Sequence, residues 1–461
     1  MGEGAGKGST PSAEEGTRVR VCVRLRPLDM SPDKALYARF PSDPGTLHVK
    51  APPEHSDRPD REFAFDDIFM GDVTQEHIFK SVCKPLCTHV VRGFNSCCFA
   101  YGQTGSGKTY SIFGESGPER GIVPRSLEFL FAEVDRRQRV MGSSIKATIF
   151  VSITEIYLDQ LYDLGRAVAR GVVGRAMSAS PLRSEAGGEG GAEYVPRHGH
   201  ARKGMSEAAV AKHTDAVKDV RKTIRTEIRE GPDGGVYVDN LEQLEVTTID
   251  QVMQIVNACS ALRATHATLL NEVSSRSHTV FTLSLVQTNS NTATTVRGRL
   301  HLVDLAGSER VKKSGSEGVR LKEALTINKS LSALGSVVMA LNAGSRAGHI
   351  PYRDSKLTRM LQGSLGGNAY TTLLATINQG ADSWDESSAT LLFASRCQEV
   401  ASAPVMNTAE SLNPQLMRAA RLQEEVNALR SELEETRASH ATQLASLLVE
   451  GGAQGMSPDV R

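Results

Sequence analysis

Between strand-like and helix-like segments the chain reads Gly102-Gln103-Thr104-Gly105-Ser106-Gly107-Lys108-Thr109, and these eight residues restrict the fold more than any others. They fit G-x-x-x-x-G-K-[ST], a glycine-rich turn whose backbone N–H groups converge on a phosphate anion. Such a loop needs a strand to deliver the chain and a helix to carry it away. Cys97-Cys98-Phe99-Ala100-Tyr101 is a short apolar run suited to the delivering strand. Lys108 is then placed to reach the β- and γ-phosphates of a nucleoside triphosphate, and the Thr109 hydroxyl to ligate Mg²⁺. The competing reading is a glycine-rich turn that binds nothing, and the preceding strand weighs against it.

Composition narrows the partners. Lys plus Arg and Asp plus Glu both number 53, so no global basic field points to nucleic acid or to a membrane surface. A partner bound through charge must be met by local patches. The seven cysteines have neither disulfide-framework nor zinc-ligand spacing, and adjacent Cys97 and Cys98 read as buried thiols. Met1 to Gly16 has no apolar core of a signal peptide, and no apolar run is long enough to span a membrane. A reducing, cytosolic setting is the expectation.

At 461 residues the chain has room for one large domain or several ordinary ones. Residues 1–17 form a Gly-, Ser- and Glu-rich arm expected to be disordered. Val19, Val21, Val23 and Leu25 alternate with Arg20, Cys22 and Arg24, a period-two strand ending at Pro27. Ala147 to Tyr157, Gly235 to Val238, Val280 to Val286, Leu300 to Val303 and Thr371 to Ile377 read as further strands. Ile249 to Arg263 and Leu321 to Leu341 carry helical periodicity. Strands alternating with helices predict an α/β fold with a central sheet covered by helices. Residues 165–225 interrupt this pattern and read as a low-complexity, basic insertion, with a helix from Ser206 to Ile228. After Pro414, Leu422, Val426, Leu429 and Leu433 keep 4-3-4 spacing before Thr436 and His440 break it. A single exposed helix and a weak coiled coil over residues 414–449 both remain open, with a disordered tail over 450–461.

Two further segments complete a site. Leu302-Val303-Asp304 is an apolar strand ending in a carboxylate suited to hold Mg²⁺ through water, and Gly307 behind it can offer an unobstructed backbone N–H to a γ-phosphate. Asn271-Glu272-Val273-Ser274-Ser275-Arg276-Ser277-His278 packs polar donors into one loop, with Ser275 suited to the metal and Ser274 to the γ-phosphate. The planar guanidinium of Arg276 suits pairing with a carboxylate. Singly, each segment has a bland alternative, a helix cap or a turn.

Taken in order, the three segments resemble the kinesin motor domain family. Asn271 to His278 is similar to its first switch, and Leu302-Val303-Asp304-Leu305-Ala306-Gly307-Ser308-Glu309-Arg310 to its second. Arg24-Leu25-Arg26-Pro27, Gly121-Ile122-Val123-Pro124-Arg125, Ile327-Asn328-Lys329-Ser330-Leu331 and Pro351-Tyr352-Arg353-Asp354-Ser355-Lys356-Leu357-Thr358 also match. The resemblance covers about Arg18 to Asn407. It implies a kinesin motor fold of P-loop NTPase type over residues 18–400, with a central mixed β-sheet of about eight strands flanked by helices on both faces. It also implies an ATPase, requiring ATP and Mg²⁺, that moves along microtubules in the cytoplasm, toward the plus end because the linker follows the motor. Adenine would rest against Arg24, Arg26 and Pro27 with Tyr110 stacking. Residues Gly102, Gln103, Thr104, Gly105, Ser106, Gly107, Lys108 and Thr109 would cradle the phosphates. Thr109, Ser275 and Asp304 would organise the metal. In the closed state Arg276 and Glu309 would pair, and Glu309 would accept the attacking water's proton through a second water. Tubulin contacts would come from Lys312, Lys313, Arg320, Lys322 and Lys329 and from Arg353, Lys356 and Arg359.

Residues 401–413 stand where the family's neck linker lies, but the match is poor. Ala401-Ser402-Ala403-Pro404 replaces the usual polar and β-branched run, although Asn407 occupies the position of a latching Asn. Pro404 lacks a backbone donor, and the N-terminal arm shows no apolar alternation with which to pair the linker. Leu325 stands where many relatives carry a basic residue. A microtubule-remodelling ATPase with little processive motility is therefore the alternative, and a non-catalytic tubulin-binding scaffold is a third reading that the intact Lys108, Asp304 and Glu309 oppose. Dimerisation would rest on the C-terminal segment alone, and the sequence carries no recognisable cargo domain.

Overall fold

Alternation along the central strands sets the layers. Cys97 and Phe99 face one core with Val21, Val23, Leu373 and Ala375, while Cys98 and Ala100 face the opposite core with Cys22 and Leu374. Both faces of the sheet are therefore apolar and must be covered. The structure, a computed structural model, describes residues 17–27, 36–40, 42–171, 220–231, 235–270, 276–309, 319–344 and 348–410.

The main sheet has eleven strands. They are β1 (Arg20–Leu25), β2 (Asp67–Phe69), β3 (Asn95–Tyr101), β4 (Ile145–Tyr157), β5 (Gln160–Asp163), β6 (Arg225–Thr226), β7 (Leu244–Val246), β8 (His278–Asn289), β9 (Thr294–Asp304), β10 (Tyr370–Ile377) and β11 (Thr408–Glu410). Their order is β6-β5-β4-β8-β9-β3-β10-β1-β2, with β7 added to β4 and β11 to β9. The half from β9 to β2 is parallel and the half from β6 to β9 antiparallel, so the sheet is mixed. The sheet has three strands more than the eight expected, and β6, β7 and β11 are short pieces of two or three residues.

The helices used below are α1 (Lys84–Val91), α2 (Lys108–Ile112), α3 (Ile122–Met141), α4 (Leu164–Ala169), α5 (Ile249–Leu270), α6 (Val319–Ala343) and α7 (Trp384–Cys397). Leu86 and Val90 of α1, Leu127 and Leu130 of α3 and Val252 and Val256 of α5 cover one face. Leu331, Leu334 and Val338 of α6 and Trp384, Leu391 and Ala394 of α7 cover the other. Each fully buried Leu, Val or Phe contributes about 1.5–3 kcal/mol by leaving water. Among the described residues no helix is long and apolar enough to cross a membrane.

Several elements differ from the sequence expectation. The β8–β9 hairpin stays in register from Thr279–Asp304 to Asn289–Thr294, so β9 starts at Thr294 rather than Leu300. Its first half is polar, and main-chain pairing on β8 holds it. Residues 164–169, largely inside the span read as insertion, form α4, with Leu164 and Ala167 buried and Asp163 Oδ1 accepting from Arg166 N at 3.0 Å. The helix expected up to Ile228 is corrected at its end. Ile224, Thr226 and Ile228 alternate inward, and Arg225–Thr226 and Ile228–Glu230 are strands. Residues 220–224 are helical as expected, while residues 206–219 and the segment over 414–449 lie outside the described residues.

The linker shows the largest difference. Thr17 and Arg18, at the end of the polar arm, pair antiparallel with Ser402 and Ala401. Ala403 N donates to Gly367 O at 3.1 Å and Val405 N to Asn368 Oδ1 at 2.5 Å, so Pro404 sits between two satisfied donors. Asn407 Nδ2 donates to Gly93 O, Asn95 Oδ1 and Arg297 O at 3.0, 3.1 and 3.1 Å. Thr408 to Glu410 then pair with Val296 to Thr294 as β11. The segment is laid along the core despite its atypical sequence.

Helix α1 crosses β9 at Gly298, where an added Cβ would collide with the Val90 carbonyl. Gly298→Ala should destabilise the fold by about 1–3 kcal/mol or more, because backbone on both sides would have to separate. A thermal midpoint indistinguishable from the parent in calorimetry would contradict this packing.

Candidate nucleotide site

Strand β3 runs between β9 and β10, parallel to both, and registers Ala100 with Asp304 and Tyr101 with Ala375. Its carboxyl end therefore opens beside the carboxyl ends of two neighbours, the usual place for a ligand in a parallel sheet. The chain leaves β3 at Gly102 with φ 152°, where a Cβ would collide with the Thr376 carbonyl. The predicted order of strand, loop and helix is complete, with α2 starting at Lys108.

Lys108 is 6 % exposed, and its Nζ donates to the carbonyls of Gly102 and Gln103, each at 2.8 Å. Burial pushes its pKa below the ordinary lysine value, while the negative charges of Asp304 and Glu309 pull it back. Thr109 Oγ1 donates to Asp304 Oδ2 at 2.8 Å, so the hydroxyl and carboxylate predicted to share a metal are already in contact. Ser106 Oγ donates to Gln103 O at 2.8 Å and lies 2.7 Å from Thr376 Oγ1, which pins the loop to β10.

The strand-end segment after Asp304 is bonded to the same loop. Ser308 N donates to Gly102 O at 3.1 Å. Glu309 accepts from Thr104 N at 2.8 Å through Oε2 and from Thr104 Oγ1 at 2.5 Å through Oε1. Gly307 lies against this pair, and a Cβ there would collide with the Glu309 carboxylate and the Thr104 hydroxyl. Nothing in the motif pattern signalled the Thr104–Glu309 contact, because its partners are 205 residues apart.

Of the residues expected to meet adenine, Arg26 donates to Gly105 O at 2.5 Å and Pro27 is exposed. Arg24 is brought to the site but turned inward. Its guanidinium donates to Gln75 Oε1 and Ser111 Oγ, both at 2.8 Å, and its Cζ lies 5.1 Å from the centre of the Tyr110 ring. Tyr110 is 36 % exposed and its hydroxyl is bonded to Glu119. Gln75 carried no sequence signal, yet it joins β1 to Tyr110 O and Glu119 O through its amide at 2.7 and 3.3 Å. Of the polar loop before β8, Arg276 is half-buried, whereas Ser274 and Ser275 lie outside the described residues.

The basic clusters are less bare than the sequence suggests. Arg353 pairs with Glu230 at 2.7 Å and Lys356 with Glu227, both acidic partners coming from the strand segment 227–230. Lys329 is exposed on α6, and Arg359 is half-buried. The side chains of Arg320 and Lys322, and all of Lys312 and Lys313, lie outside the described residues.

The kinesin motor domain model matches residues 24–184 and 204–400. The chain belongs to the kinesin motor domain family. The human chromosome-associated kinesin KIF4A is 32% identical over 425 residues, covering 90% of this chain and 29% of that protein. The kinesin-like protein KIF15 of Strongylocentrotus purpuratus is 34% identical over 435 residues, covering 91% of this chain and 25% of that protein. This chain thus spans between a quarter and a third of the curated relatives it matches first. Among solved structures, a fast kinesin aligns with TM-score 0.66 and 31% identity over 86% of this chain and 95% of that chain. A KIF14 fragment (residues 391–772), solved as a dimer with two heads bound, AMP-PNP and a microtubule, aligns with the same score and identity over 88% of this chain and 99% of that chain. The unmatched stretch between 184 and 204 falls within the span read as an insertion, and the family model matches the residues on either side of it.

Two histidines of the hairpin are buried neutral. His278 and His301 are both held near pKa 3, from an ordinary 6.5, chiefly by burial, with Lys108 beside the first and Arg299 beside the second. The unfolded chain takes up a proton at each as pH falls through about 6.5, and the folded chain does not until about 3. Their contribution is therefore complete above pH 6.5 and is lost as pH falls, with a slope approaching about 1.4 kcal/mol per pH unit for each. His301→Gln should make urea-unfolding stability less steep between pH 6 and 4 by about one proton. An unchanged slope would show that His301 titrates normally in the folded motor domain.

Proposed function

We propose that the chain hydrolyses ATP at the Gly102–Thr109 loop and couples turnover to movement along microtubules. One observation carries this reading: Lys108, the Thr109–Asp304 pair and the Thr104–Glu309 pair converge at the carboxyl end of β3. The KIF14 structure, which holds AMP-PNP on a microtubule, supports the substrate and the track.

The residues fit a divalent cation. Thr109 and Asp304 offer only oxygen, and two hard oxygens 2.8 Å apart suit Mg²⁺ better than a softer metal. Mg²⁺ held by Thr109, Asp304 and Ser275 would neutralise charge on the phosphate oxygens. The chain's own groups do the rest. The Gly102–Gly107 backbone cradles the α- and β-phosphates, and Lys108, freed from one carbonyl, meets the γ-phosphate. Gly307 N–H and Ser274 hold the γ-phosphate from the other side, and Arg276 pairs with Glu309 when the two switches close. Glu309 leaves Thr104 in that closure and accepts the attacking water's proton through a second water. Phosphoryl transfer is mainly positioning and charge stabilisation, so no strong base is required.

On the track side, Lys329 and Arg359, together with Lys312, Lys313, Arg320 and Lys322, meet acidic tubulin. Arg353 and Lys356 join them only by exchanging Glu230 and Glu227 for tubulin carboxylates. The docked linker favours directed, plus-end motility over filament remodelling, because Val400, Ala401, Ser402, Ala403, Val405 and Asn407 are all bonded along the core through their backbones. The C-terminal segment would add at most a weak dimer contact.

Gly307→Ala and Glu309→Ala should each lower phosphate release at least a hundredfold while binding of a fluorescent ATP analogue persists. Normal turnover in either variant would sink the site assignment. In a gliding assay with polarity-marked microtubules, movement should run with the motor toward the plus end. Asn407→Ala removes an amide whose two protons are shared among three acceptors, a loss of about 1–3 kcal/mol. It should slow gliding severalfold and leave microtubule-stimulated ATP turnover within about twofold. Unaltered gliding would remove Asn407 from the latch.

A further inference from the structure

We propose that His278 is a positioning residue that ties movement of the Asp304–Glu309 segment to helix α6, a role that rests on the ATPase reading above. The ring is 2 % exposed at the start of β8. Its Nδ1 accepts from Ala306 N at 2.9 Å, and its Nε2 lies 2.8 Å from Ser330 Oγ. Ala306 is the residue before Gly307, and Ser330 is in the middle of α6.

Hydrogen counting fixes the direction of each bond. A backbone N–H can only donate, so Nδ1 carries no proton. Ser330 Oγ donates its single proton to Ile327 O at 2.7 Å, so it must accept from Nε2–H. One neutral tautomer satisfies both bonds, and both ring nitrogens are used. Ala306 cannot shift toward a phosphate without dragging the ring or breaking a buried bond, and the ring cannot shift without Ser330.

The chain of contacts continues from α6. Asn342, near its end, donates through Nδ2 to Arg396 O at 2.8 Å and to Glu399 Oε2 at 3.2 Å. Val400, the next residue, accepts from Val19 N at 2.9 Å, where the docked linker begins. The His278 side chain thus bonds both the backbone at Ala306 and helix α6.

The test uses a linker probe. All seven cysteines are buried, whereas Val405 is 52 % exposed, so a Val405→Cys label reports docking selectively. The full chain is compared with and without a non-hydrolysable ATP analogue, in V405C and with Ser330→Ala, His278→Asn or both added. His278→Asn keeps an acceptor near the Nδ1 position and loses the donor to Ser330. Ser330→Ala should retain analogue binding within about twofold and reduce the docking response at least fivefold. The double variant should be no worse than His278→Asn alone, because both changes remove the same bond. A docking response in S330A equal to the parent overturns the proposal. So does a parallel, additive loss of thermal stability and analogue binding, which marks a merely structural contact. A parent V405C chain that neither binds the analogue nor turns over ATP overturns the ATPase reading itself.

Discussion

Burying the Lys108 ammonium is the constraint on which the rest of the site depends. A cation out of water costs several kcal/mol unless it is met by oxygen. Here two loop carbonyls meet it directly, and the charges of Asp304 and Glu309 meet it through space. The carbonyls point inward only because Gly102 takes a conformation closed to other residues. The carboxylates are present only because β9 runs parallel to β3 and ends beside it. Strand order, glycine placement and the acidic segment thus answer one electrostatic demand.

That solution also makes the site movable. Gly102 O is shared between Lys108 and Ser308, and Glu309 is held by Thr104 rather than built into a strand. These bonds join the loop to a segment with no regular secondary structure, so they can exchange for phosphate contacts at little net cost. Beyond them the structure is stiff: β8 and β9 pair over their whole length, and α6 is packed on Leu331, Leu334 and Val338. A small displacement beside Gly307 is therefore carried to rigid elements instead of being absorbed.

Much of this was legible in the sequence. The loop at Gly102–Thr109 and the strand end at Asp304 are local patterns whose chemistry follows from spacing. Period-two alternation gave β1, and short apolar or β-rich runs gave β3 and β10, each close to its observed bounds. What escaped has two physical causes. Contacts such as Thr104–Glu309, Arg24–Gln75 and Lys356–Glu227 join residues far apart in the chain, and no local pattern encodes them. Polar strands such as Thr294 to Arg297 and Arg225–Thr226 are held by main-chain pairing, so their side chains carry little signal.

The linker makes the second cause explicit. Judged by side chains, Ala401-Ser402-Ala403-Pro404 is a poor docking segment. Main-chain hydrogen bonds need no particular side chain, however, and a proline costs only the single donor it lacks. Val19 N bonds Val400 O, Thr17 and Arg18 pair across to Ser402 and Ala401, and the donors of Ala403 and Val405 are met on either side of Pro404. Asn407 then fixes the register, because three acceptors from Gly93, Asn95 and Arg297 surround one side-chain amide. A ladder that tolerates substitution, locked by one residue that does not, lets the linker sequence drift while its path along the core is kept.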